Sequence, residues 1–160
     1  MTIAIYPGSF DPITNGHLDI LKSGSEIFEK VIIAVSSNIN KKSFLSVEER
    51  VNLIKQSTNF LRNVEVDTFD GLTVEYAKQK GADVLLRGLR TSFDFEYELQ
   101  LSQTNHALYK DIKTVFLITK PEYNFISSSM VKEILINKGD ISEFVPEAVE
   151  KYLMSNYGIL

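Results

Sequence analysis

The chain has no cysteine among its 160 residues. Disulfides and thiolate-held metals are thereby excluded, and a reducing compartment is the natural setting. No apolar run approaches the ~20 residues of a membrane-spanning helix, so no membrane partner is expected. The stretch Met1 to Ile5 carries neither a basic region nor a cleavage pattern, so a cytoplasmic location is expected. Positive charge is also scarce. Lys and Arg number 17 against 21 Asp and Glu, giving a net charge of -4, with a pI near 5.2. That balance argues against nucleic acid as a partner, because broad phosphate neutralisation needs a basic surface. It leaves room for a compact pocket that binds a small anion. Two common phosphate motifs are missing as well: there is no G-x-G-x-x-G after the first strand candidate and no G-x-x-x-x-G-K-[ST] anywhere.

What is present reads as an ordinary globular chain, 44% apolar and 24% charged. Its length suits a single domain, residues 1–160, able to bury a real core. Short β-branched runs alternate with amphipathic stretches. Strand candidates are Thr2 to Tyr6, Val31 to Ser36, Val64 to Phe69, Val84 to Leu86 and Thr114 to Ile118. They are apolar nearly throughout, as strands covered on both faces should be.

Helices are expected between them. The first runs from about Gly16 to Phe28. The second opens on a capping box, Ser46 with Glu49. The third spans about Leu72 to Lys80, closed by Gly81. The fourth spans about Ser92 to Tyr109. The fifth starts among Ser127, Ser128 and Ser129 and stops near Gly139. The sixth starts at Pro146, a first-turn proline, and reaches about Asn156. This alternation implies an α/β fold: a doubly wound, Rossmann-like domain with a five-stranded parallel sheet and helices on both faces. The fourth helix has an unusually wide apolar sector: Phe93, Tyr97 and Leu101 on one face, Phe95 and Leu99 beside it. Either it is well buried or it packs on another subunit.

Ligands of open α/β sheets sit outside the carboxyl ends of the strands. The residues expected just beyond those ends are Ser9, Phe10, Thr14 and His17; Lys41 and Lys42; Gly71, Leu72 and Thr73; Arg87, Gly88 and Arg90; and Ser127 to Ser129. Basic groups, a histidine and hydroxyls thus gather on one rim of an acidic chain. A hydroxyl-rich helix start offers unpaired N–H groups and the positive end of the helix dipole. Arginine adds a flat fork that suits phosphate, and lysine a mobile point charge. Together they fit a polyphosphate. Singly, each has a plainer reading. The Gly and Pro of "YPGSFDPITNGH" build a tight turn, Lys41 and Lys42 a solvated loop, the serines an N-cap, and Arg87 and Arg90 partners for Asp94 or Glu98. His106 reads as structural or surface.

Three blocks carry a family resemblance: "YPGSFDPITNGH" with its T-x-G-H element at Thr14 to His17, "RGLR" at Arg87 to Arg90 followed by "DFEYELQ" from Asp94, and "FISSSMVKE" from Phe125. T-x-G-H alone marks only the nucleotidyltransferase superfamily. With all three at these spacings, from about Ile3 to beyond Pro146, the chain resembles the bacterial phosphopantetheine adenylyltransferase family. The resemblance implies transfer of adenylyl from ATP to 4′-phosphopantetheine, giving 3′-dephospho-coenzyme A and pyrophosphate, the penultimate step of coenzyme A synthesis. It also implies Mg²⁺ with ATP, coenzyme A as a feedback ligand, and a homohexamer.

Carried over by position, the resemblance gives His17 the role of stabilising the transition state. ATP-binding positions are Ser9, Phe10, His17, Gly88, Leu89, Arg90, Glu98 and the run Tyr123, Asn124, Phe125, Ile126, Ser127, Ser128, Ser129. Substrate-binding positions are Ser9, Lys41, Thr73 and Arg87; no side chain is expected to ligate a metal. Three positions depart from common patterns. Ser9 is Thr in some relatives, Thr73 stands where an apolar residue is frequent, and the wider superfamily often has a first histidine at Thr14. The rival readings are another small-molecule nucleotidyltransferase, acting on nicotinamide mononucleotide or glycerol phosphate, and a non-catalytic ATP-binding regulatory module. A receiver-like module would want carboxylates at the strand ends, where this rim is basic and hydroxylic.

Overall fold

A computed structural model describes residues 2–37 and 42–158. Five strands form one parallel sheet: β1 (Ile3–Gly8), β2 (Lys30–Ser36), β3 (Val64–Phe69), β4 (Val84–Leu89) and β5 (Lys113–Ile118). Their order in the sheet is β3-β2-β1-β4-β5. The helices are α1 (Asn15–Ile27), α2 (Val47–Thr58), α3 (Thr73–Gln79), α4 (Ser92–Leu108), α5 (Ser128–Ile136) and α6 (Glu147–Tyr157), with a 3-10 turn at Pro121–Tyr123.

Side chains alternate across each strand, and both sides are covered. Ala4, Tyr6, Val31, Ile33 and Val35 pack with Ile20, Leu21, Leu53, Ile54, Val131, Leu135, Val149 and Leu153. That places α1, α2, α5 and α6 on one face. Ile5, Ile32, Ala34 and Leu85 pack with Val74, Tyr76 and Ala77 of α3 on the other. Burial on both faces is why the central strands read as continuous apolar runs.

Several boundaries shift. β4 runs on to Leu89 because its pairing with β5 continues to Leu89 opposite Ile118. Arg87 and Gly88 therefore lie within the strand, not after it. Pro146 is the cap of α6, with ψ 150°, and stands just outside the helix instead of in its first turn. The fourth helix is not well buried: Glu98 is its only buried residue, while Phe93 is 85% and Tyr97 65% exposed. Among the described residues no helix is long and apolar enough to cross a membrane.

Candidate active site

The sheet divides at its centre. β1 pairs with β2 as far as Gly8 opposite Val35. Its pairing with β4 covers only Ala4 opposite Val84 and Ile5 opposite Leu85. Beyond that point β1 and β4 part, at the place where the strand order reverses. This is the switch-point crevice of a doubly wound sheet. Arg87 bridges it: Nη1 donates to the Pro7 carbonyl at 2.9 Å. Nε and Nη2 donate to the two carboxylate oxygens of Glu98 at 2.7 and 2.6 Å. Burial works against the guanidinium charge, but Glu98 outweighs it and raises the pKa of Arg87.

His17 stands on the first turn of α1, facing the same crevice. Thr14 caps the helix: its hydroxyl accepts from the His17 N–H at 3.3 Å. In return, the Thr14 N–H donates to His17 Nδ1 at 3.1 Å. A backbone N–H can only donate, so Nδ1 must carry the lone pair and the neutral ring must carry its proton on Nε2. Burial, then Arg90 and Arg87, push the pKa of His17 down to about 4. At neutral pH the ring is an uncharged donor. Phe10 packs edge-on against it, with centroids 5.1 Å apart.

The opposite wall is the start of α5. Ser127 caps it, accepting from Met130 N–H at 3.1 Å. Ser128 Oγ donates to the Pro12 carbonyl at 2.8 Å and ties this helix to the first loop. The N–H groups of Ser128 and Ser129, in the first turn, have no partner within the helix. Arg90 reaches across to donate to the Ile126 carbonyl at 2.9 Å, and Asp94 holds its Nε at 3.2 Å. The open cavity between these walls measures about 240 Å³ and is lined by Tyr6, Pro7, Gly8, Phe10, Thr14, Gly16, His17, Ile20, Arg87, Gly88, Arg90, Asp94, Glu98, Thr119, Ile126, Ser127 and Ser128. A Cβ on Gly16 would come no closer than 3.6 Å to other chain atoms. What that glycine leaves open is cavity space, so backbone can approach a ligand.

A cationic, donor-rich crevice with a neutral histidine suits a nucleotide polyphosphate. Residues 5–134 match the cytidylyltransferase-like family model. The phosphopantetheine adenylyltransferase of Alkaliphilus metalliredigens is 53% identical over 149 residues, covering 93% of this chain and 95% of that one. That of Gloeothece citriformis is 56% identical over 155 residues, covering 97% and 99%. The chain belongs to the phosphopantetheine adenylyltransferase family. Its fold is also that of a Vibrio parahaemolyticus structure named as a nicotinate-nucleotide adenylyltransferase, at a TM-score of 0.73 and 20% identity over 97% of this chain and 93% of that chain.

Of the positions that the family resemblance singles out, the crevice brings together Phe10, His17, Arg87, Gly88, Arg90, Glu98, Ile126, Ser127 and Ser128. Two of them meet the cavity differently from a simple contact. Phe10 is 3% exposed as a whole residue, with its ring packed between Tyr6 and His17. Glu98 has both oxygens on Arg87.

Ser9, Leu89, Tyr123, Asn124, Phe125 and Ser129 do not line the cavity. Ser9, Asn124, Phe125 and Ser129 are exposed. Thr73 heads α3, after β3, two strands from the crevice. Lys41 lies outside the described residues, and its neighbour Lys42 is exposed. Tyr6, Ile20 and Thr119 line the cavity without having been singled out by sequence. They read there as ordinary strand, helix and loop residues. Asp11 likewise carries no local signal in the sequence. Its carboxylate accepts from the Phe44 and Leu45 N–H groups, both at 2.8 Å, pinning the first loop to the segment before α2.

Proposed function

We propose that this chain transfers the adenylyl group of ATP to 4′-phosphopantetheine, giving 3′-dephospho-coenzyme A and pyrophosphate. The observation that carries the chemistry is the neutral His17 ring, held by Thr14 with Nε2–H toward a crevice rimmed by Arg87, Arg90 and the start of α5. Family membership carries the choice of acceptor.

The attacking group is a phosphate monoester, already largely dianionic at neutral pH because its second pKa is near ~6. An oxygen of that phosphate attacks the α-phosphorus, the bond to the bridging α–β oxygen breaks, and pyrophosphate leaves with the electron pair. No proton is transferred, so no general base is needed. The protein's work is positioning and charge stabilisation. His17 Nε2–H donates to an α-phosphate oxygen. Arg90 and the first-turn N–H groups of α5 hold the β- and γ-phosphates. Arg87, through the N–H groups left after Glu98 and Pro7, and Lys41 hold the incoming phosphate. Ser9, Thr73 and the run from Tyr123 to Ser129 complete the binding surfaces. Glu98, an ATP-binding position by family resemblance, acts here through Arg87 and so bears on the incoming phosphate.

Mg²⁺ belongs to the ATP side. Among the described residues no cluster of three His, Asp or Glu side chains is set to hold a metal. The carboxylates lining the cavity, Asp94 and Glu98, are already engaged by Arg90 and Arg87. The residues present therefore do not fit a protein-held ion, and Mg²⁺ enters as the counter-ion of the triphosphate. Coenzyme A, which shares the product's framework, is the proposed feedback ligand. Residues 1–160 act as one nucleotidyltransferase unit in the cytoplasm. A homohexamer is the proposed assembly, supported by the exposed aromatic side of α4 at Phe93 and Tyr97.

The test is pyrophosphate release from Mg·ATP with and without 4′-phosphopantetheine, in the wild type and in His17→Ala. Release should require the acceptor and fall on the order of 10²–10³-fold in the variant with ATP binding kept. Turnover with nicotinamide mononucleotide or glycerol phosphate instead would replace the acceptor. Binding of ATP with no release for any acceptor would make the protein a nucleotide sensor.

A further inference from the structure

Arg50 is the one buried arginine that the chemistry above does not use. It sits in the first turns of α2 and is 4% exposed. Its Nη1 donates to the carbonyls of Ser9 at 2.7 Å and Ser36 at 3.1 Å. Nε donates to the Ser46 carbonyl at 3.3 Å. Among the described residues no carboxylate forms an ion pair with it. Asp11 bears on its charge but gives its own oxygens to Phe44, Leu45 and Lys132. A desolvated cation on carbonyls alone is a costly choice, and burial lowers its pKa.

The carbonyl of Ser9 belongs to the same peptide unit as the N–H of Phe10. That unit is planar and trans, so the two groups point in opposite directions. With the carbonyl directed inward to Arg50, the Phe10 N–H is directed away from Arg50, and Phe10 is among the residues that line the cavity. Phe10 itself has a φ of 49°, in the left-handed region that an aromatic residue rarely adopts. Turning this one peptide over would return φ to ordinary values. It would also release the Ser9 carbonyl from Arg50 and aim it at the cavity. An acceptor would then face the polyphosphate where a donor had been.

We infer that Arg50 is a positioning residue that locks the Ser9–Phe10 peptide with its N–H toward the bound phosphates. The inference rests on the adenylyltransfer reading for the identity of the anion. The fork geometry explains the residue type. One guanidinium spans the ends of β1 and β2 through Nη1 and the cap of α2 through Nε, a two-nitrogen fork that a lysine would have to replace from a single nitrogen.

The test compares full-length wild type, Arg50→Lys and Arg50→Met by calorimetric Kd for Mg·ATP, kcat and KM, alongside Tm. Both variants should bind Mg·ATP roughly tenfold or more weakly, as expected for loss of a donor to a charged ligand. Arg50→Lys should recover Tm more fully than affinity. A folded variant whose Kd for Mg·ATP stays within about twofold of wild type overturns the role. Should Arg50→Met not fold, amide exchange in the wild type decides. Exchange of the Phe10 N–H should be slowed further when Mg·ATP is added to the wild type; an exchange rate unchanged by saturating Mg·ATP overturns the inference. Wild type that binds Mg·ATP yet never adenylylates 4′-phosphopantetheine would defeat the functional reading and leave the Arg50 result to stand on its own.

Discussion

His17 accepts, on Nδ1, the backbone N–H of the residue that caps its own helix, Thr14, at 3.1 Å. One hydrogen bond thereby fixes the tautomer and the direction of the other ring nitrogen. The ring cannot take a second proton without turning the Thr14 N–H against an N–H. Burial and the two arginines act in the same sense and lower the pKa of His17 to about 4.

The pH behaviour follows with a definite sign. The unfolded chain binds a proton at this histidine near ~6.5, whereas the native state resists it down to about 4. The native state therefore binds fewer protons between those values. Stability falls as pH drops through that window, by about 3 kcal/mol in all, and is unaffected by this group above it. In ring-nitrogen NMR the His17 resonance, assigned by its loss in His17→Gln, should titrate near 4. Urea unfolding of His17→Gln should lack this part of the acid destabilisation. Titration of the ring near its ordinary value would mean that Nδ1 is not committed to Thr14.

Glu98 and Arg87 should behave as one unit. Glu98→Gln keeps the shape but leaves the guanidinium half-buried with one acceptor in place of a carboxylate. We expect a loss of about 2 kcal/mol in urea unfolding. The orientation of Arg87 across the crevice should suffer as well, lowering kcat/KM for 4′-phosphopantetheine roughly tenfold. A double-mutant cycle with Arg87→Met should show strong coupling; additive effects would separate the two residues.

Gly88 tests how α1 is seated. A Cβ there would lie 2.9 Å from Ile20 Cγ1. Ile20 is one turn beyond His17 on the same helix, so Gly88→Ala should push α1 away from β4 and displace the ring. A stability cost of about 1–3 kcal/mol is expected from overpacking, together with a fall in kcat. Adding Ile20→Ala removes the obstructing carbons, so the double variant should be more stable than the sum of the single effects, measured by Tm.

The parts of the fold most legible in the sequence were those governed by local chemistry. β3 runs from Val64 to Phe69 as its β-branched Val64, Val66 and Thr68 imply, although Glu65 and Asp67 interrupt the apolar run, as suits a strand at the sheet edge, and the Ser46–Glu49 capping box opens α2. The serine triplet does mark the start of α5, but its members divide the work. Ser127 caps, Ser128 ties down the first loop, and Ser129 is exposed. What stayed hidden depends on partners remote in sequence. Nothing near Leu89 says that β5 will pair with it. Nothing near Asp11 says that its carboxylate will take N–H groups 33 and 34 residues away. Arg50 looks like any charged residue of an amphipathic helix until the ends of β1 and β2 close around it.

The short pairing between β1 and β4 makes the sheet two plates, β3-β2-β1 and β4-β5, joined along a seam of two residue pairs. Arg87 is a rivet near that seam, running from the second plate to the Pro7 carbonyl of the first. A bound nucleotide would act as another, since the groups offered to it come from both sides. Resistance to heat and capacity for turnover thus draw on the same crack. Changes that weld it shut should raise Tm at the expense of the space in which the reaction happens.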